Sequence, residues 1–274
     1  VTEAGAVCAS LDASCSVCKR AGEPFELSVK GVGWQSAGEV DADFCSANDP
    51  TPNYQSGPIS LSHSWAASVA GVDGDLAVTE AAITSGGSVS VLNQSVSEVG
   101  VFAFTAIPGS YLGEPLAAST SAPVGRFVPA RLALSANSPL WSEQCSGFSY
   151  MDSFLNFSVP PTITLTAQNS VGNETENYNN GFWRVTSLLE SRSYISAAST
   201  AISSFSYVSG ATASVWNGVT VLDGSASLTL VNDQVRYGRS ALQGPFDALT
   251  DLLLPATDLT DTDGVCYLLD TNGN

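Results

Sequence analysis

Apolar and polar side chains alternate strictly in several segments of this chain, and this pattern limits its secondary structure. Phe25–Lys30 reads Phe-Glu-Leu-Ser-Val-Lys, and residues 58–63 and 162–167 show the same period of two. Successive side chains of a β-strand point to opposite faces, so this period predicts strands with one buried and one solvated face. Residues 100–106 add a strand candidate rich in phenylalanine and alanine. The chain is therefore predicted to be all-β.

The length of 274 residues suffices for two β-sandwich domains of about 100 residues each. Hydrophobic residues make up 44%, which allows packed cores. A stretch of small residues and proline at 119–123 resembles a linker. We therefore expect tandem immunoglobulin-like β-sandwich domains at 1–121 and 122–240, with 241–274 as a tail or the start of a further segment.

Two short motifs suggest that the second domain duplicates the first. Asn53-Tyr54 and Asn177-Tyr178 each follow an alternating strand. Each tyrosine precedes a glycine, Gly100 or Gly224, by the same 46 positions (100 − 54 and 224 − 178), and a strand candidate follows each glycine. Equal spacing of several motifs is what a duplicated domain predicts. We expect the asparagines to form turns and the tyrosine rings to be buried, as in the tyrosine corner of sandwich domains.

A further hairpin is expected in the second domain. Residues 215–221 place Asn217-Gly218 between two valine-rich flanks. Asn-Gly favours the type I′ turn that joins antiparallel strands.

The charge balance excludes several classes of partner. Nine lysines and arginines stand against 26 aspartates and glutamates, a formal net charge of −17. Nucleic-acid binding requires a basic face, and an acidic chain is repelled by anionic membranes. No apolar run reaches the roughly 18 residues of a membrane-spanning helix. The sequence thus predicts no nucleic-acid partner and no membrane span.

Six cysteines predict structural disulfides. Their number is even and allows 15 pairings; they are Cys8, Cys15, Cys18, Cys45, Cys145 and Cys266. The spacing of Cys15 and Cys18 also occurs in redox and zinc sites, but no βαβ pattern surrounds them and His63 is the only histidine. We predict bonds between Cys18 and Cys45 and between Cys145 and Cys266.

Aspartates near the end of the chain form the clearest metal candidate. Asp261-x-Asp263-Gly264 and Asp270-x-Asn272-Gly273 place oxygen ligands at alternate positions before a glycine. Calcium binds about six to eight such oxygens, including a bidentate carboxylate further along the loop. The alternative is a solvated acidic segment, so the expected cofactor is either none or calcium.

The sequence contains few features that would indicate an enzyme. A single histidine permits at most one histidine-based triad, and neither a Gly-x-Ser-x-Gly motif nor a phosphate-binding loop is present. Carboxylate pairs for glycoside hydrolysis meet only in the folded protein and stay open. The five tryptophans would favour sugar stacking if exposed and a structural role if buried: Trp34, Trp65, Trp141, Trp183 and Trp216. The chain is therefore predicted to be non-catalytic.

Several motifs in one order resemble a known family. They are Gly125-Arg126-Phe127-Val128-Pro129-Ala130-Arg131, Cys145-x-x-Phe148-x-Tyr150-Met151, Ala167-x-Asn169, Asn177-Tyr178-x-x-x-Phe182 and Arg236-Tyr237-Gly238-Arg239. Together they resemble the C-terminal region of MshQ-like proteins of MSHA type IV pilus biogenesis, a domain of unknown function. The resemblance covers about residues 125–266 of this sequence.

The resemblance implies a role outside the cell. It implies a protein exported through the periplasm to the cell surface, associated with a pilus, and structural or adhesive. The implied partners are other pilus or surface proteins and host or surface glycans, and no catalytic residue can be carried over. The alternatives are a carbohydrate- or calcium-dependent recognition domain of a longer exported protein, or a filament subunit.

Overall fold

The computed structural model describes residues 7–40, 48–197, 204–210, 215–242 and 244–268. These residues form strands and loops, apart from two short 3-10 helices at Asn180–Phe182 and Ala256–Leu259. They divide into two compact units, the first comprising 1–130 and 168–182 and the second 131–167 and 183–274. The predicted all-β sandwich class is confirmed. Among the described residues, no helix is long and apolar enough to cross a membrane.

The first unit consists of strands of two to ten residues joined by turns and loops. Within its described residues these are β1 (Lys19–Arg20), β2 (Phe25–Lys30), β3 (Ser56–Trp65), β4 (Glu80–Ile83), β5 (Ser88–Gln94), β6 (Gly100–Ile107), β7 (Ser110–Tyr111), β8 (Glu114–Pro115), β9 (Ser119–Thr120) and β10 (Val124–Val128).

Two sheets enclose the core of this unit. The larger sheet has the order β1-β10-β6-β3-β4, with β9 also paired to β6, and the smaller sheet pairs β2 with β5. Phe25 and Leu27 of β2 are buried whereas Glu26 between them is exposed, as the alternating pattern predicts. The two rings of Phe25 and Phe127 lie 5.6 Å apart in this core. The smaller sheet therefore packs its apolar face onto the larger one.

A disulfide loop is attached to the larger sheet. Cys8 and Cys15 are bonded, a pairing that the spacing of the cysteines did not single out. All five residues of β10 are buried, including Arg126, which donates from Nε to the carbonyl oxygen of Cys15 at 3.1 Å. A buried guanidinium needs such acceptors because its desolvation is costly. Arg126 thus ties this small loop to β10.

The second unit has its own set of strands. Within its described residues these are β11 (Arg131–Ala136), β12 (Leu140–Trp141), β13 (Leu155–Val159), β14 (Thr162–Gln168), β15 (Ser193–Ser196), β16 (Ser204–Val208), β17 (Ser225–Thr229), β18 (Gln234–Gly238), β19 (Thr250–Leu253) and β20 (Tyr267–Leu268).

These strands form two four-stranded sheets and one pair. The sheet orders are β17-β14-β11-β20 and β12-β13-β18-β16, and β15 pairs with β19. In β14, Ile163 and Leu165 are buried while the threonines beside them are half-buried, so the predicted alternation holds. Leu155, Tyr194 and Val235 belong to a second core cluster. Because β19 pairs with β15 of this unit, residues 241–268 do not form the separate tail that the sequence suggests.

The segment 168–182 returns to the first unit, which differs from the predicted boundary near 121. Asn177 donates from Nδ2 to the carbonyl oxygens of Val72 and Val99 at 2.8 and 3.0 Å, and its Oδ1 accepts from the Val72 amide at 2.8 Å. Its side chain is 1% exposed. A buried amide with three satisfied hydrogen bonds fixes the position of its segment. This polar anchor holds a stretch that the sequence assigned to the second domain.

Glu98 completes this anchor. Its carboxylate is buried and accepts from the backbone amides of Glu176, Asn177 and Val99 at 3.0, 3.2 and 3.2 Å. Burial raises the pKa of this carboxyl, although the three amide donors act in the opposite direction. The anchor therefore consists of two buried polar side chains, Asn177 and Glu98, which are distant in sequence and in contact in the structure.

The expected hairpin at 215–221 is replaced by a different arrangement. Asn217 forms an isolated bridge with Ser227, and the amide of Val221 donates to the carbonyl of Gly218 at 2.8 Å. Trp216 is buried and its indole donates to the carbonyl oxygen of Ser187 at 2.8 Å. Burial of this large ring outweighs the local turn preference, because a side chain of this size dominates the energetics of packing.

Candidate binding groove

Two loops of the second unit form the walls of an open groove of about 820 Å³. One wall is the loop between β12 and β13, and the other is the loop after β18. Leu155 and Tyr237, both buried, lie at its base. The volume falls within the range of about 300–1,000 Å³ that small-molecule sites occupy. A smaller cavity of about 300 Å³ lies in the first unit beside β2 and β6.

The first wall is fixed by its own hydrogen bonds. The amides of Cys145 and Phe148 each donate to the other's carbonyl, at 3.0 and 3.2 Å, and close a tight turn. Gly147 in that turn has φ +85°, a conformation that glycine adopts without steric cost. Its amide donates to Oε2 of Glu143 at 2.8 Å, and the amide of Tyr150 donates to Oε1 of Gln144 at 3.0 Å. Hydrogen bonds within the loop thus fix its conformation.

This ordered loop presents two aromatic rings. Phe148 is 53% exposed and Tyr150 is 59% exposed. Their ring centroids lie 5.4 Å apart at an interplanar angle of 83°, an edge-to-face pair. Residues separated by two positions in an extended segment share a side, which explains their proximity. Large exposed rings grouped in a concave site are typical of binding surfaces.

The second wall is joined to the first through Asp152. The carboxylate of Asp152 lies 3.3 Å from Nε of Arg239, and it accepts from the Arg239 amide at 3.2 Å. The amide of Asp152 donates to the carbonyl oxygen of Tyr237 at 2.9 Å. The ring of Tyr237 is 5.6 Å from that of Phe246, which also lines the groove. Asp152 therefore brings together two sequence motifs more than 80 positions apart.

Polar side chains complete the groove. Glu143, Arg239 and Asp247 line it and are exposed. The guanidinium supplies directed donors, and carboxylates accept several hydrogen bonds each. Aromatic rings beside such groups suit a ligand that has both apolar faces and hydrogen-bonding atoms.

A buried ionic cluster occupies another part of the second unit. Arg192 donates from Nε and Nη2 to the two carboxylate oxygens of Asp233 at 2.8 and 2.6 Å, and the hydroxyl of Tyr194 donates to Asp233 at 2.6 Å. Burial, and then the hydrogen bond to Asp233, raise the pKa of Tyr194, so its hydroxyl stays a donor. The hydrogen bond to Asp233 raises the pKa of Arg192. With side chains 1% and 0% exposed, Arg192 and Asp233 have a structural role.

The calcium candidates are only partly placed by the structure. Oδ1 of Asp261 accepts from the amides of Asp263 and Val265 at 2.9 and 2.8 Å, and Asp261 is buried. These bonds form a turn that aspartate favours through its own carboxylate. Asp270 and Asn272 lie outside the described residues. Within the described part of the chain, no group of three or more His, Cys, Asp or Glu side chains is placed to hold a metal ion.

Replacing Asp261 with alanine is expected to lower the free energy of unfolding of the second unit by about 1–3 kcal/mol, because two backbone amides lose their acceptor. Thermal unfolding measured with calcium and with a chelator should show the same loss. Asp251→Ala, at an exposed position of β19, is the control, with an expected change within about 0.5 kcal/mol. A loss that appears only in calcium would instead identify Asp261 as a metal ligand.

The predicted bond between Cys145 and Cys266 is not formed, whereas the predicted bond between Cys18 and Cys45 stays a prediction. Cys145 lies in the groove loop with its sulfur 3.7 Å from the Tyr150 hydroxyl, and both Cys145 and Cys266 are free thiols. Backbone bridges hold Cys145 beside Phe148 and Cys266 beside Thr260. The two thiols are therefore placed by separate local contacts. Cys18 packs against the core of the first unit, and Cys45 lies outside the described residues.

The duplicated motif has two different environments. Asn53 is exposed and Tyr54 half-buried, with its ring 5.4 Å from Tyr111. Asn177 and Tyr178 are both 1% exposed and belong to the same unit as the first pair. The expected burial holds for Tyr178, but the two motifs are not corresponding positions of two domains.

The tryptophans divide in a similar way. Trp34 is 65% exposed, Trp216 is buried, and the other three are half-buried. Trp141 lines the groove and stacks on Phe157, with the two ring centroids 3.7 Å apart. The main exposed rings of the groove are Phe148 and Tyr150, which reasoning from tryptophan alone overlooked. The sequence signal that could have indicated them is a pair of aromatic residues at alternate positions directly after Gly147.

Two family models together match the whole chain. Residues 98–274 match the family model described as DUF6701, third domain, and residues 1–97 match DUF6701, second domain. This boundary falls just before β6, which pairs with β3 within the first unit. The chain has no match among curated proteins or solved structures.

Proposed function

The chain belongs to the DUF6701 family, and from this premise we propose that it is a non-catalytic recognition module with an adhesive role at the cell surface. The groove of the second unit is its contact site. Its partners are pilus or surface proteins and surface glycans, as the MshQ-like resemblance implies. The module is carried by an MSHA-like type IV pilus.

One observation carries this proposal. The Cys145–Met151 motif and the Arg236–Arg239 motif, which resemble the MshQ-like region, meet at a single concave surface. That surface displays Phe148 and Tyr150 on a loop ordered by internal hydrogen bonds. Binding residues are often placed on loops held by a rigid scaffold. A preformed loop also lowers the entropy cost of binding.

The disulfide supports a location outside the cytoplasm. Cys8 and Cys15 are bonded, and disulfides persist mainly in oxidising compartments such as the periplasm and the cell exterior. The net charge of −17 favours solubility in these surroundings.

The single histidine supports a non-catalytic role. Its Nε2 lies 2.6 Å from the carbonyl oxygen of Asp73, and its ring is 5.5 Å from Phe102. These contacts hold His63 on strand β3 beside the core of the first unit. The side chain thus has a packing function that explains its presence.

The double substitution Phe148→Ala and Tyr150→Ala tests the adhesive role in bacterial cells that export the full protein. Each truncated aromatic contact is expected to weaken binding by about tenfold, or about 1.4 kcal/mol, so attachment of cells to a surface should fall by at least about tenfold. Attached cells are counted under flow, and the amount of exported protein and the number of pili are measured in parallel.

Trp34→Ala provides the matched control, because it removes an exposed aromatic ring from the other unit. Cells with this variant should attach like the wild type. Equal attachment by the double variant and the wild type, at equal surface protein, would refute the groove as the contact site.

A further inference from the structure

The polar groups of the groove restrict the chemistry of its ligand. In the first wall, the backbone amides of Cys145, Gly147, Phe148 and Tyr150 all have partners within the loop. An extended peptide that adds to a strand edge needs free backbone donors and acceptors. Because these four donors are already used within the loop, an extended peptide is disfavoured here.

The charges of the groove restrict the ligand further. Glu143 and Asp247 contribute two carboxylates, and the one guanidinium among the lining residues, Arg239, lies 3.3 Å from the carboxylate of Asp152. An anionic ligand would therefore meet an excess of negative charge, within a chain of net charge −17. The groove is complementary to a neutral ligand whose hydroxyls donate to carboxylates.

The aromatic rings specify the remaining surface of the ligand. Phe148 and Tyr150 are more than half exposed, and Tyr237 and Phe246 lie at the base and opposite wall. Ring faces carry partial negative charge, which attracts the positively polarised C–H groups of a sugar ring. Hydroxyls around the edge of the same sugar reach carboxylates and guanidinium groups. Both kinds of contact are available within one groove of about 820 Å³.

From these features we propose that the groove binds a neutral oligosaccharide, with Phe148 and Tyr150 as the stacking platform and Glu143, Arg239 and Asp247 as hydrogen-bonding groups. This inference rests on the proposed adhesive function and names the ligand class of the same site. Glu143 is held by its bond from the Gly147 amide at 2.8 Å, so its carboxylate is oriented before the sugar arrives.

The experiment measures binding of the purified full chain to an array that carries neutral, sialylated and sulfated glycans, together with a lysine-rich peptide. We expect binding to at least one neutral glycan, and about tenfold weaker binding for Phe148→Ala and for Tyr150→Ala. Trp34→Ala should bind like the wild type. Tyr150→Phe keeps the ring and should retain most of the affinity, which separates stacking from loss of folding.

Binding confined to the acidic glycans or to the peptide would overturn the assignment, as would no binding to any glycan. Neutral binding that survives both alanine substitutions would place the sugar elsewhere and also overturn it. Failure on the array combined with loss of cell attachment in the double variant would refute the glycan and leave the adhesive function supported. Failure of both experiments would refute the proposed function itself.

Discussion

Replacing Arg192 with leucine is expected to lower the free energy of unfolding of the second unit by about 3–5 kcal/mol, because it leaves a buried carboxylate without its cation. Asp233 is 0% exposed and accepts two hydrogen bonds from Arg192. Arg192 also donates to the carbonyl oxygens of Leu189 and Gly210 at 3.0 and 2.7 Å, so these acceptors lose their partner as well. Urea unfolding followed by tryptophan fluorescence measures the change.

Arg239→Leu is the matched control for this substitution. Arg239 also pairs with an aspartate in the same unit, but the side chains of Arg239 and Asp152 are 43% and 40% exposed. Exposed ion pairs contribute about 0–1 kcal/mol, so little change is expected. The double variant Arg192→Leu and Asp233→Leu should recover part of the lost stability, since no charge remains buried. A loss for Arg192→Leu as small as the control's would contradict the described cluster.

Asn177→Ala should lower the stability of the first unit by about 3 kcal/mol, on the scale of about 1–3 kcal/mol for each buried polar group left without a partner. The substitution removes all three hydrogen bonds that join Asn177 to Val72 and Val99. Hydrogen exchange of the amides in 168–182 should accelerate, because this segment loses its anchor. Urea unfolding gives the free energy, and exchange locates the loss.

Asn53→Ala separates this account from the duplication hypothesis. Asn53 is exposed, so its substitution should change stability by less than about 0.5 kcal/mol. Equal losses for the two substitutions would mean that Asn53 and Asn177 play equivalent roles, as the equal spacing of the motifs had suggested. The structure predicts a clear difference between them.

The strands were the most predictable part of this protein. The alternating segments at Phe25–Lys30 and 162–167 form β2 and most of β14, and the strand candidate at 100–106 lies within β6. Alternation is a local property of the chain that reports directly which face of a strand is buried. The boundaries of the units could not be derived in this way, because they depend on contacts between distant segments.

The candidate groove was only partly predictable from the sequence. Its two motifs were recognised, one around Phe148 and Tyr150 and the other around Tyr237 and Arg239. Their meeting depends on Asp152, which donates to Tyr237 and pairs with Arg239. Nothing in the spacing indicates this contact, since ion pairs and loop packing join residues regardless of their separation in the chain. The same limit applied to Cys145 and Cys266, which lie on two segments that are each held by their own backbone contacts.

The sequence by itself determined the all-β class, the faces of the main strands and the acidic charge, because these follow from local side-chain pattern and composition. Only the tertiary structure decided that 168–182 belongs with the first unit and that residues 241–268 complete the second. Asn177 and Glu98 determine the first placement, because buried polar groups need partners once water is excluded and their partners lie far away in sequence. The pairing of β19 with β15 determines the second. The groove likewise exists only where two distant loops are held together.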